Sequence, residues 1–166
     1  MPTQSQLYLS TRGGSASFSF RAAVLKGLAA DGGLFIPHAI PTITPAQLDS
    51  WHGLSFQDLA VEILSQYISA DEISREDVRR LVDKSYGSFR VKEVTPVKEL
   101  VKEERLWILE LWHGPTYAFK DVALQFLGNL FEYFLAQENE GKIGPDRDRL
   151  TVLGATSGDT GRFPHK

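Results

Sequence analysis

A chain of 166 residues that is 42% hydrophobic and 23% charged has the composition of one full globular domain, or of one small domain plus part of another, and is not expected to be disordered over most of its length. Its net charge of −3, with acids and bases interleaved throughout, leaves no basic stripe to neutralise phosphates, so nucleic acid is not an expected partner. With no cysteine and four scattered histidines, neither disulfides nor a metal site is expected; a polar start from Met1 to Gln6 and the lack of any apolar run near ~20 residues predict a cytoplasmic chain without membrane contact.

The opening part reads as a small, mainly helical unit. Tyr8-Leu9-Ser10-Thr11 predicts a short strand ended by Arg12-Gly13-Gly14. Ser19 is placed to cap a helix through Ala22, Ala23, Val24 and Leu25, with Gly27 near its C-terminal end. Asp31-Gly32-Gly33 is a turn signal, and the residues that follow form a brief extended run closed by Pro37. Thr44-Pro45-Ala46-Gln47 combines an N-cap, a proline at the first helical position and the glutamine of a capping box. Ser55 and Ser74 precede two more helices. Their stripes (Phe56, Leu59, Ala60, Ile63, Leu64 and Tyr67 in one, Val78, Leu81, Val82 and Tyr86 in the other) are core-packing faces without assigned chemistry.

From about Val91 the pattern changes. Val91 to Arg105 is charged and contains Pro96, which predicts a connecting segment or a short edge element. Leu106 to Leu111 predicts a buried strand. Val122, Ala123, Phe126, Leu127, Leu130, Phe131, Phe134 and Leu135 recur at intervals of three and four, so the helix they define must bury a wide face. Glu138 to Arg149 is a polar loop, and Leu150-Thr151-Val152-Leu153 predicts a second strand. Strand, helix, strand is the unit of a parallel α/β sheet, whose ligands sit in loops at the carboxyl ends of the strands. The expected architecture is therefore α/β: a helical N-terminal domain over 1–90, then the beginning of a parallel-sheet domain over 91–166.

Two loops carry candidate chemistry. Lys120 stands where the Leu111 strand passes through His113-Gly114-Pro115 into the long helix. The positive end of the helix dipole works against an ammonium there, and an apolar neighbour such as Phe119 adds a desolvation penalty of the same sign, so a nucleophilic amine is favoured. A solvated first-turn lysine is the competing reading, and for a lysine taken alone it is the commoner one. Asp121 suits the same helix start as an acid. The second loop, Gly154-Ala155-Thr156-Ser157-Gly158-Asp159-Thr160-Gly161, is rich in glycine and hydroxyls suited to a carboxylate; an ordinary strand-to-helix turn has no need of so many hydroxyls.

Together these stretches resemble threonine synthase. Tyr8 to Gly13 and Asp31 to Pro37 are similar to its N-terminal domain, His113 to Asp121 to its cofactor-lysine segment, and Ala155 to Gly161 to its substrate loop, in colinear order over nearly the whole chain. The pattern looks closest to the fungal-type enzymes and the animal threonine-synthase-like proteins. The resemblance implies the pyridoxal phosphate fold type II, with the cofactor bound as a Schiff base on Lys120 and Phe119 beside it. It implies a lyase of threonine biosynthesis that converts O-phosphohomoserine and water to threonine and phosphate, with Thr156, Ser157, Gly158, Asp159 and Thr160 at the substrate. Two alternatives stay open: a non-catalytic fragment that binds a partner or has no function, and a phospholyase acting on a phosphorylated amino alcohol.

The chain departs from the family at Arg162-Phe163-Pro164-His165-Lys166, where Pro164 obstructs the helix of small residues that the family continues into. The expectation is a truncated chain that, ending at Lys166, has neither threonine synthase activity nor tight pyridoxal phosphate binding, because the phosphate cradle of the family lies further on.

Overall fold

A computed structural model describes residues 6–153. The chain divides into two compact units, Met1–Arg80 and Leu81–Lys166, with the division inside a helix.

In the first unit, strands β1 (Tyr8–Ser10) and β2 (Phe35–Pro37) pair antiparallel, Leu9 opposite Ile36, with helix α1 (Phe20–Lys26) between them in sequence. Helices α2 (Pro45–Trp51), α3 (Phe56–Tyr67) and the first half of α4 (Arg75–Tyr86) follow. Each helix starts where a hydroxyl stands ready. Ser19, Thr44 and Ser55 accept from the backbone N–H groups of Ala22, Gln47 and Asp58, and the Ser74 hydroxyl accepts from Asp77 at 3.1 Å. Gly27 ends α1 at φ 68°, where a side chain would be strained, and its N–H donates to the Ala23 carbonyl.

Longer-range bonds tie the ribbon to the helices. The Tyr8 hydroxyl donates to the Tyr67 carbonyl at 2.7 Å, and the Gln6 N–H donates to the Ser69 hydroxyl at 2.7 Å. The Glu72 carboxylate accepts from the Phe20 and Arg21 N–H groups at 2.9 Å each, which satisfies otherwise orphaned donors at the positive end of α1. Ser10 and Asp31 lock the turn: the Ser10 hydroxyl lies 2.7 and 2.8 Å from the two carboxylate oxygens, and the Gly33 N–H donates to Asp31 Oδ1. These bonds hold the Asp31 carboxyl below its usual range, the Ser10 bond contributing most. Val61, Ile68, Ile73 and Val78 are among the buried apolar side chains of this unit.

The second unit contains the end of α4, strands β3 (Val97–Val101) and β4 (Leu106–Leu109), helix α5 (Asp121–Glu138) and a 3-10 turn at Gly144–Asp146. Helix α5 buries Asp121, Gln125, Phe126, Leu130 and Phe134, a stripe at helical spacing flanked by half-buried Val122, Leu127, Phe131 and Leu135. Ser85 on α4 is buried, donates to the Leu81 carbonyl at 2.6 Å and accepts from the Asn129 amide at 2.9 Å, so the polar atoms between the two helices are satisfied.

The strand pairing corrects the sequence reading. Leu106–Leu109 is not a buried parallel strand: it forms an antiparallel hairpin with Val97–Val101, bulged between Glu99 and Val101, and Trp107 and Leu109 are exposed. The turn from Lys102 to Arg105 is short enough for a hairpin, whereas a parallel partner needs a long crossover. Leu150 to Leu153 form no strand among the described residues, and Leu153 is nearly fully exposed. The edge-element reading of the charged segment before Leu106 is met by β3, which is exposed along most of its length.

Tyr8 and Tyr86 provide a test of this packing. Burial is the first cause that raises each phenol to about 12, with the charge of Glu72 adding to it at Tyr8; the Tyr86 hydroxyl donates to the Val122 carbonyl at 3.0 Å. The folded chain holds these protons while the unfolded chain releases them near 10, so the stability they contribute is complete below that pH and is lost as pH rises through about 12. An alkaline titration of phenolate absorbance should show a late phase that shrinks in Tyr8→Phe and again in Tyr86→Phe. A late phase that neither substitution changes would contradict the assignment.

Candidate active site

The loop from Glu110 to Lys120 delivers the candidate lysine to α5, and its shape follows from three local devices. The first is Asp121, only 2% exposed. It is the acid of the first turn of α5, as its position in the sequence suggests. Its hydrogen bonds, however, run back into the loop: the Thr116 N–H donates to Oδ2 at 2.7 Å and the Thr116 hydroxyl to Oδ1 at 2.8 Å. A charged acceptor makes both bonds stronger than neutral ones.

The second device is Gly114. A Cβ at this residue would lie 2.4 Å from both Cβ and Oδ2 of Asp121, so glycine is required for space and the loop can close onto the carboxylate. The third is Arg90, whose backbone N–H donates to the His113 carbonyl at 2.9 Å. Its guanidinium donates to the Gly114 carbonyl and, at 3.3 Å, to the Pro115 carbonyl, and stands 3.8 Å from the centre of the Tyr117 ring. Tyr117 has φ 61°, a left-handed backbone that costs a non-glycine residue roughly 1–2 kcal/mol and persists only where the surroundings hold it. Glu110 and His113 meet at 2.7 Å at the start of the loop.

Lys120 itself occupies the N-cap of α5 with helical backbone angles, φ −61° and ψ −22°, and makes no side-chain cap bond. Its carbonyl accepts from Ala123 and Leu124 at 3.1 and 2.8 Å, which anchors the main chain. The side chain is half-buried, its Nζ 5.9 Å from the centre of the exposed Phe119 ring. A primary amine on a braced backbone beside an accessible aromatic surface fits a carbonyl cofactor with a planar ring. The sequence singled out Lys120 and Phe119, which are adjacent here. Thr156, Ser157, Gly158, Asp159 and Thr160 lie outside the described residues. Arg90 and the steric role of Gly114 were missed: Gly-Pro marks a turn, but no sequence signal connects Arg90 to a loop more than twenty residues further on. Among the described residues no group of histidines and carboxylates suits a metal ion, and no helix is long and apolar enough to cross a membrane.

The structure overlays the crystal structure of threonine synthase from yeast with a TM-score of 0.88 and 52% identity, over 92% of this chain and 31% of that one. It also overlays a PLP-bound threonine synthase from Brucella melitensis with a TM-score of 0.75 and 41% identity, over 80% of this chain and 28% of that one. The fold is therefore that of the N-terminal region of pyridoxal phosphate fold type II. Residues 7–86 match the family described as threonine synthase N terminus. Across 154 residues the chain is 58% identical to the threonine synthase of Schizosaccharomyces pombe, 93% of this chain and 30% of that protein. The chain belongs to the threonine synthase family and corresponds to the N-terminal portion of its members. It spans about 30% of the length of the relatives it matches.

Proposed function

We propose that this chain carries the cofactor lysine of a cytoplasmic threonine synthase, with residues 1–90 as its N-terminal domain and residues 91–166 as the start of its catalytic domain. The observation that carries the reading is Lys120, held by a braced loop at the start of α5 in a chain so similar to threonine synthases. Pyridoxal phosphate, when bound, supplies an electron sink for charge that develops beside the substrate amine. Lys120 holds that group through its Nζ, and Phe119 offers the neighbouring ring surface. With O-phosphohomoserine as substrate, the Lys120 amine is also the proton carrier at the α and β carbons. Ser157, Asp159 and Thr160 hold the substrate carboxylate or approach the cofactor ring, with Thr156 and Gly158 in the same substrate loop. Water enters at the β carbon, phosphate leaves from the γ carbon, and the product is threonine.

The test is a chimera in which these residues replace the aligned N-terminal portion of the Schizosaccharomyces pombe enzyme. Phosphate and threonine should be released from O-phosphohomoserine in equal amounts. Turnover of a phosphorylated amino alcohol in place of O-phosphohomoserine would reject the reading.

A further inference from the structure

Lys120 lies at the end of a loop that is contacted by a residue remote in sequence. Arg90 follows α4 and is exposed, yet it meets the loop four times: its N–H holds the His113 carbonyl, its guanidinium holds the carbonyls of Gly114 and Pro115, and its Cζ stands over the Tyr117 ring. The Gly114 carbonyl also accepts from the Tyr117 N–H at 3.3 Å, so both of its lone pairs are engaged. The Arg90 contacts and the Asp121 staple therefore act on the same tight turn. Remove the guanidinium, and the left-handed Tyr117 loses the cation over its ring.

We infer that Arg90 is a positioning residue for Lys120, acting through the 114–117 turn, and that this role sets how selectively the Lys120 amine reacts with an aldehyde. The inference rests on the reading of Lys120 as the cofactor lysine. Lysine at position 90 would keep the charge and lose the planar fork, so Arg90→Lys separates positioning from electrostatics.

The experiment uses the chimera with the Schizosaccharomyces pombe enzyme, whose downstream residues supply the cofactor phosphate cradle that the family resemblance implies. Hydrogen exchange is measured at the Thr116 and Tyr117 amides, and the chimera is treated with pyridoxal phosphate and borohydride so that modified lysines are read by peptide mapping. In the unmodified sequence both amides should be protected, and Lys120 should be labelled in preference to Lys84 and Lys98. In Arg90→Lys, exchange should rise and the preference for Lys120 should fall by on the order of tenfold, as when an outer partner of a reactive group is lost. Tyr117→Leu, a change at an exposed ring, should give a smaller effect of the same sign while leaving helix content unchanged. Protection and labelling that both survive in Arg90→Lys overturn the inference. Increased exchange with unchanged labelling also overturns it, because Arg90 would then be only structural. Unselective labelling of the unmodified sequence overturns the cofactor-lysine reading and the positioning role with it, an outcome distinct from failure of Arg90 alone.

Discussion

Lys120→Ala in the chimera is expected to abolish the visible absorbance of the bound cofactor and to lower phosphate release by about 10²–10⁴-fold or more, the range for loss of a group that moves protons in the transition state. Lys120 makes no side-chain cap bond to α5, so its truncation removes no helix cap. Lys84 and Lys98 serve as controls for a general effect of removing an amine. Lys84 lies on α4 and pairs with Glu132 at 2.7 Å in an exposed contact, worth about 0–1 kcal/mol, and Lys98 lies on the exposed strand β3. Their alanine variants should keep both absorbance and turnover. Cofactor absorbance and activity that persist in Lys120→Ala would remove Lys120 from the chemistry.

Gly114→Ala should damage the same site by the opposite route, through stability of the second unit. The added methyl would stand 2.4 Å from Asp121 Cβ and Oδ2 and 2.7 Å from Cγ, far inside van der Waals contact. Asp121 is buried at the start of α5 and cannot swing away without giving up both bonds from Thr116. Overpacking of this kind costs about 1–3 kcal/mol, and release of the hydrogen bonds to a charged acceptor adds to it. Denaturant unfolding followed by the fluorescence of Trp107 and Trp112, in a Trp51→Phe background, would report the loss. The cause is separable by a double-mutant cycle: once Asp121→Gly has removed Cβ together with the carboxylate, Gly114→Ala should cost much less, because the clash and the staple are gone. Additive losses would assign the effect of Gly114 to another contact.

Local interactions explain most of what was legible in advance. Ser19, Thr44, Ser55 and Ser74 each reach a backbone N–H three residues away, so the helix starts could be read from a few consecutive residues, and the structure keeps them. The same holds for the Asp31-Gly32-Gly33 turn, whose carboxylate binds the Gly33 N–H, and for α5 beginning beside Lys120. Strand partners are a different kind of information. The apolar run at Leu106 is compatible with a buried parallel strand, but its neighbour is the charged segment before it, and Trp107 is exposed. Asp121 was recognisable as an acid at a helix start, while its grip on Thr116 depends on the path of the intervening turn.

By itself, then, the sequence determined the capped helices, the lysine at the head of α5 and the family resemblance, all of which rest on short-range hydrogen bonds and on residues contiguous in the chain. Only the tertiary structure decided that β4 pairs with β3, that Gly114 has no room for a methyl and that Arg90 braces the Lys120 loop. Each of these depends on distances between groups whose separation along the chain carries no signal until the backbone has folded.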